Sequence, residues 1–189
     1  MKRVTLFFAV FFVCLTVSCQ TKTNNSKVSD FTFKSIFGTN SKEPDNVYCL
    51  LGTGFFRAPH SGNSDSLIYT WIENHPNALV VPVSSFGPVE TAKPQSEMIY
   101  CWVIAENDTL NNYLIKNGCF SGGTMMRPKT WEEMEEWEKE LYEESDEKPN
   151  VKVYVSDRTY EVFIEQIISA EINARSNKNG IWRNTKSED

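Results

Sequence analysis

The sequence predicts one α+β domain, and two kinds of apolar periodicity support this fold class. Apolar and polar residues alternate in several short runs, as they do in half-buried strands. Longer stretches repeat apolar residues every three or four positions, as one face of a helix does. The strongest strand is predicted at residues 98–104, and Asp157 is predicted to cap the last long helix. The predicted order is strands, helix, two strands, helix, helix, strand and helix.

The first half of the domain is predicted to hold two extended stretches, a helix and a strand. Residues 31–37 alternate as a strand, and residues 47–56 are extended with a bend or bulge at their glycines. Ser64 is suited to cap a helix that ends at Pro76, and residues 78–83 follow as a strand. The helix has four apolar residues on one face: Leu67, Ile68, Trp71 and Ile72.

The second half is predicted to contain three helices. A short one at residues 109–117 ends at Gly118. Thr130 begins an acidic helix, with the spacing of a capping box to Glu133. Residues 151–155 alternate as a strand that we expect to complete the sheet, before the last helix. The apolar stripe of the acidic helix consists of Trp131, Met134, Trp137 and Leu141.

The last helix ends in Glu171, Ala174 and Arg175, and Gly180, Ile181 and Trp182 follow it. This end resembles the closing segment of staphylococcal nuclease-like (thermonuclease) domains. That family ends in a helix with the pattern E-x-x-A-(K/R), followed by G-(I/L)-W. The helix at residues 109–117 is also similar to the family's N-x-x-L-(V/I)-x-x-G helix. The resemblance covers roughly residues 64–118 and 160–182, and its specific part lies at Glu171, Ala174, Arg175, Gly180, Ile181 and Trp182.

This resemblance implies a five-stranded OB-type β-barrel with three packed helices over residues 31–182. Residues 119–155 would then be an insertion that adds the acidic helix and a strand. Residues 183–189 would form a polar tail.

The catalytic pattern of the family is not matched. It resembles R-x-x-x-x-D-(T/A)-P-E, with a further acid in an early strand and a second arginine before the strong strand. Aligned on Ala58 and Pro59, the metal-binding Asp position holds Arg57 and the general-base Glu position holds His60. An arginine cannot ligate calcium, so the resemblance implies a catalytically degenerate domain without a metal or other cofactor. The alternative is a phosphodiesterase, using calcium, with a site rebuilt around Arg57 and His60.

A second candidate site is the loop that contains Gly122, Gly123 and Arg127. Backbone N–H groups and a cation in one loop are suited to hold an anion. The alternative interpretation is an ordinary connection between helices.

The charge of the chain is concentrated in one segment. Residues 130–148 hold ten acids and two lysines, a net charge of −8 against −6 for the whole chain. The rest has no basic face, which disfavours nucleic acid as a ligand. One hypothesis is that the acidic helix at residues 130–147 docks a basic protein partner. The other is a solvated surface that Trp131 and Trp137 anchor on the barrel.

The first residues predict export. Lys2 and Arg3 precede an uncharged apolar run at residues 4–17, as in a secretory signal peptide of residues 1–19, and the run is too short to span a bilayer. Residues 15–19 resemble a bacterial lipobox, in which Cys19 would receive a diacylglycerol. Residues 20–30 are polar, as in a flexible tether. The sequence therefore predicts an extracytoplasmic protein with a lipid anchor in a cell-envelope membrane.

Three cysteines follow Cys19, namely Cys49, Cys101 and Cys119. Their odd number allows at most one internal disulfide, in any of three pairings. The leading functional hypothesis is a non-catalytic binding or envelope interaction module. The alternatives are the phosphodiesterase and an inhibitor or immunity-type protein whose acidic helix binds a basic toxin.

Overall fold

A computed structural model of the protein describes residues 25–54, 60–89, 95–123, 125–142 and 148–184. Within these residues the strands are β1 (Ser26–Lys27), β2 (Phe31–Lys34), β3 (Phe37–Asn40), β4 (Glu43–Leu50), β5 (Leu79–Phe86), β6 (Met98–Ala105), β7 (Asp108–Thr109) and β8 (Val151–Val153). The α-helices are α1 (Ser64–Asn74), α2 (Leu110–Lys116), α3 (Glu136–Glu140) and α4 (Asp157–Ser176). Three 3-10 turns lie at Val28–Asp30, Trp131–Glu133 and Gly180–Asn184.

The strands form one curled, barrel-like sheet, and the α+β fold class is confirmed. Their order across the sheet is β1-β5-β6-β4-β3-β2, with β7 on β6 and β8 on β5. Neighbouring strands are antiparallel except for β4 and β6, which run parallel. One edge of β5 pairs with β6. Its other edge pairs with β1 at one end and with β8 at the opposite end.

The strand predicted at residues 151–155 joins the sheet, as the sequence predicts. Val153 of β8 lies opposite Ser84 of β5. The Lys152 ammonium donates to Glu97 Oε1 at 2.6 Å, just before β6. The strand is shorter than predicted and ends at Val153.

The predicted count of five barrel strands and one added strand is wrong, because the described residues contain six strands along the sheet path and two short ones beside it. Residues 31–37 do not form a single strand. Ser35 adopts a φ of 55°, and the chain turns there so that Lys34 lies opposite Phe37 in a β2–β3 hairpin. The strands β1 and β7 have two residues each, too few to produce an alternating pattern.

Three helices form close to where the sequence predicts them. α1 buries Ile68 and Trp71 against the core, and α4 buries Phe163, whose ring stacks on Trp102 at 4.4 Å between centroids. The α4 N-cap is Ser156 rather than Asp157, since Ser156 Oγ accepts from the Thr159 N–H at 3.3 Å. Apolar periodicity determines these helices because each has one face that packs on the sheet or on another helix.

A buried amide joins α2 to the sheet. The Asn111 side chain is completely buried, and its Oδ1 accepts from the Val103 N–H at 3.0 Å. Its Nδ2 donates to the carbonyl oxygens of Leu51 at 2.8 Å and Cys101 at 3.2 Å. One side chain therefore fixes α2 against β6 and against the residue that follows β4.

The ends of α2 and α4 meet through two glycines. Gly118 and Gly180 adopt φ values of 65° and 51°, which favour glycine. A Cβ on Gly118 would collide with the carbonyl of Asn179, and a Cβ on Gly180 would collide with the carbonyl of Gly118. The Ile181 N–H donates to that same Gly118 carbonyl at 2.9 Å. The backbones lie too close for any side chain at either position.

The folded domain begins earlier than the predicted start at residue 31. β1 pairs with β5, and Val28 is completely buried with its N–H donating to the Ala78 carbonyl at 2.9 Å. Residues 26–30 of the predicted tether therefore belong to the fold. Arg183 and Asn184, the first two residues of the predicted tail at residues 183–189, belong to the terminal 3-10 turn. The predicted signal peptide, Cys19 and residues 185–189 lie outside the described residues. None of the described helices combines the length and apolar character that crossing a bilayer needs.

Cys49, Cys101 and Cys119 are free thiols buried in the domain. Burial raises the pKa of the Cys49 thiol to about 12 and raises the pKa of Cys101 well above its ordinary value. At neutral pH these groups are therefore protonated and act as small apolar side chains.

Candidate functional site

Of the two residues in the predicted phosphodiesterase site, the structure places one. His60 is exposed and forms an isolated antiparallel bridge with Phe120, with the ring centroids 6.3 Å apart. The next residue, Ser61, donates its N–H to the Cys119 carbonyl at 2.9 Å. Arg57 lies outside the described residues.

His60 lines an open cleft of about 630 Å³ where the start of α1, the end of α2 and the terminal 3-10 turn meet. The described residues that line it include neither Asp nor Glu. In the described parts of the chain, no group of three or more His, Cys, Asp or Glu residues is placed to hold a metal ion. The lining side chains include His60, Asn63, Leu67, Asn117, Asn179 and Arg183.

The sequence did not predict this cleft because its polar residues come from three separate segments. Asn63, Asn117 and Arg183 belong to no recognisable motif, and each is an ordinary residue for a helix end or a turn. The available signal was the pair Gly118 and Gly180, whose contact brings the end of α2 to the terminal turn.

The second candidate site differs from its prediction. The Gly123 N–H donates to the Gly52 carbonyl at 2.9 Å, and the Gly122 Cα packs toward Ile167 and Glu171 of α4. The Arg127 guanidinium is already paired with carboxylates. The structure therefore does not bring these three residues together as a set of free donors, and an anion here would have to displace existing partners.

Arg127 instead connects the acidic segment to α4. Its side chain is only 9% exposed, and its two terminal nitrogens donate to the two carboxylate oxygens of Glu133. It also contacts Asp157 Oδ1 at 3.3 Å and stacks over the Tyr160 ring at 5.0 Å from the centroid. The hydrogen bonds from Arg127 lower the pKa of Glu133 to about 2. The pair is therefore ionised at neutral pH.

The acidic segment is not the single helix that the sequence predicts. A 3-10 turn at Trp131–Glu133 and the five-residue α3 are separated by Met134 and Glu135, which are extended. Each turn has its own capping box, in which Glu133 accepts from the Thr130 N–H and Glu138 from the Glu135 N–H, both at 2.8 Å. Because the second box starts a new turn, the first cannot continue into one long helix.

Ion pairs help to hold this segment in place. The Lys129 ammonium donates to both carboxylate oxygens of Glu138, at 2.7 and 2.8 Å. Neither of the two turns contains a buried residue. The hypothesis that Trp137 anchors the segment on the barrel is therefore wrong, since its side chain is 63% exposed. Trp131 is half-buried and has the ammonium groups of Lys139 and Lys148 over its ring.

The residues of the terminal sequence pattern stabilise the end of α4. Ala174 is completely buried, and Arg175 donates to Glu171 Oε1 at 2.7 and 2.9 Å. The Arg175 guanidinium also lies 4.0 Å from the ring centroid of Trp182. These contacts give the pattern a structural role that does not depend on catalysis.

No protein-family model matches this chain, and no curated protein matches its sequence. The class that the structure defines is an α+β domain with a curled sheet, a polar cleft and an acidic segment attached to its surface.

Proposed function

We propose that this protein is an exported lipoprotein, anchored to a cell-envelope membrane through Cys19, whose domain is a non-catalytic binding module. The observation that carries the binding function is the exposure of Trp137 and Leu141, by 63% and 72%, on the acidic segment. The two residues are four positions apart, so they lie on the same side of α3 and its end. A large aromatic side chain displayed in this way is typical of the anchor residues of protein interfaces.

The partner that fits this surface is a basic protein with an apolar side chain at its contact. Glu132 and Glu140 have no cation partner among the described residues, and Glu136 is paired only with Lys139 of the same helix. Fixed carboxylates around an apolar pair attract a cationic surface and repel polyanions. The ion pairs of Arg127 and Lys129 hold the segment in one arrangement, which reduces the entropy lost on binding.

A degenerate nuclease-like OB-type barrel is the finer fold assignment in this proposal. The curled sheet supports it, and so does the packing of Glu171, Arg175 and Trp182 at the end of α4.

Binding can be tested on the chain from residue 20 onward with a dye-labelled amphipathic peptide of Lys and Leu. We expect Trp137→Ala to raise the Kd about 10-fold or more, because the apolar anchor is lost. The matched control is Tyr69→Ala, which removes an aromatic ring that is 61% exposed on α1. Added salt should weaken binding. Equal losses in both variants, or equally tight binding of a Glu/Leu peptide, would contradict the docking surface.

Anchoring is tested separately by cell fractionation. Cys19→Ser should move the protein from the membrane fraction to the soluble fraction, because the substituted residue cannot take a lipid. Membrane association that survives this substitution would overturn the lipoprotein assignment.

The second candidate is a phosphodiesterase around Arg57 and His60, which the position of His60 in a polar cleft with Arg183 favours. The test is cleavage of single-stranded DNA or RNA with calcium, and with EDTA as a control. Calcium-dependent cleavage that Arg57→Ala and His60→Ala abolish without unfolding would establish the enzyme. A folded protein without cleavage activity supports the binding module.

A further inference from the structure

The cleft at the end of α2 has the dimensions of a ligand site. Its volume of about 630 Å³ lies within the range of roughly 300–1,000 Å³ that small-molecule sites occupy. Backbone hydrogen bonds fix its walls, since Ser61 donates to Cys119 and Ile181 donates to Gly118, both at 2.9 Å. The three segments that form it are therefore held together before any ligand arrives.

The charge of the lining selects for an anionic group. Among the described residues that line the cleft, Arg183 is the one Lys or Arg, and none is Asp or Glu. Arg183 forms no ion pair with any described residue. A guanidinium without a carboxylate partner is suited to bind the carboxylate or phosphate of a ligand, through two parallel hydrogen bonds.

The amides of the lining supply both acceptors and donors. Asn117 Nδ2 donates to the Tyr113 carbonyl at 2.8 Å, and Asn179 Nδ2 donates to the Lys116 carbonyl at 3.0 Å. Since a carbonyl oxygen only accepts, these bonds determine which amide atom is nitrogen and leave the Oδ1 atoms as acceptors. Asn63 has the opposite arrangement, because its Oδ1 accepts from Ser61 Oγ at 2.7 Å and its Nδ2 remains a donor.

A ligand that satisfies this set needs more than an anionic group. A fully ionised inorganic anion such as sulfate only accepts hydrogen bonds, and it would leave Asn117 Oδ1 and Asn179 Oδ1 unused. Hydroxyl groups donate as well as accept, and a sugar ring also presents C–H faces that suit half-buried Leu67. We propose that this cleft binds a sugar that carries a carboxylate. The carboxylate is bound by Arg183 and Asn63, and the hydroxyls are bound by Asn117 and Asn179.

The test is equilibrium dialysis of the full chain in a nonionic detergent with labelled glucuronate. Glucose lacks the carboxylate, and acetate lacks the hydroxyls, so we expect each to bind at least ~10-fold more weakly than glucuronate. Arg183→Gln should weaken glucuronate binding about 10-fold and leave glucose binding unchanged. The matched control is Lys178→Gln, which removes one positive charge from a nearby exposed residue outside the lining.

A second variant keeps the test independent of folding. Asn63→Asp places a negative charge in the cleft, while Asp is as good an N-cap for α1 as Asn. It should abolish glucuronate binding and spare glucose binding and the Tm. The proposal is overturned if folded protein binds no glucuronate at concentrations up to about 1 mM, the weak end of the usual affinity scale. It is also overturned if both variants bind glucuronate normally, or if sulfate competes as well as glucuronate does, which would indicate a simple anion site.

Discussion

Two regions of the domain, the core around α2 and the acidic segment, are stabilised by different kinds of interaction. The core consists of completely buried apolar side chains such as Leu114 of α2 and Ile167 of α4, together with the buried amide of Asn111. The acidic segment buries no residue in either of its turns and is held by Arg127, Lys129 and two capping boxes. Stability is therefore concentrated in the core, and the segment is available to act as a surface.

The largest expected difference in the free energy of unfolding is between substitutions of two leucines, one in each region. Leu114→Ala should lower the free energy of unfolding by about 3–4 kcal/mol, because it removes buried methyl groups and leaves a cavity. Leu141→Ala should change it by less than about 0.5 kcal/mol, since that side chain is 72% exposed. Urea unfolding of both variants measures the difference. Similar losses would mean that Leu141 packs against the domain after all.

An intermediate effect is expected from the buried amide. Asn111→Ala leaves the Val103 N–H and the Leu51 carbonyl without their partner, which should lower stability by about 2–3 kcal/mol. Asn173→Ala is the control, since that residue is exposed on α4 and should change stability by less than about 0.5 kcal/mol. Thermal unfolding of the two variants gives the comparison, and a small effect at Asn111 would refute its role as a connector.

The smallest expected effect depends on pH and belongs to the acidic segment. Arg127 lowers the pKa of Glu133 to about 2, below the ordinary carboxyl value, so the pair stabilises the fold above the unfolded-state pKa and less as pH falls toward 2. Glu133→Gln should cost about 1 kcal/mol at pH 7, a value that allows for solvent screening. This difference from the wild type should disappear near pH 2.

Urea unfolding at several pH values, with Glu132→Gln as the control, measures this dependence. Glu132 lies on the same turn and has no cation partner among the described residues. A constant difference between Glu133→Gln and the wild type at all pH values would show that the carboxylate charge does not hold the segment.

The elements that could be predicted from the sequence are those in which a regular spacing of apolar residues continues over many positions. α1, β6, α2 and α4 form where the pattern placed them because each packs one face on the core. The count of strands was not predictable, since a positive φ at Ser35 and two-residue strands leave no periodic signal.

The sequence pattern predicted the wrong structure for the acidic segment and did not indicate the cleft, and the physical reasons differ. The spacing of Trp131, Met134, Trp137 and Leu141 is helical, yet two glutamates reach back to start separate turns. Periodicity does not report such side-chain caps. The cleft depends on Asn63, Asn117 and Arg183, which only the folded chain brings together.

The contact between Gly118 and Gly180 has a consequence for how relatives of this chain would diverge. Neither glycine can be exchanged first, because a Cβ at either position meets the backbone of the other segment. Both positions should therefore remain glycine in any descendant that keeps this fold, whatever that descendant binds. Conservation of the two glycines would therefore be evidence of common ancestry and not of a shared ligand. A change of ligand would instead be accompanied by substitutions at Asn63 and Arg183.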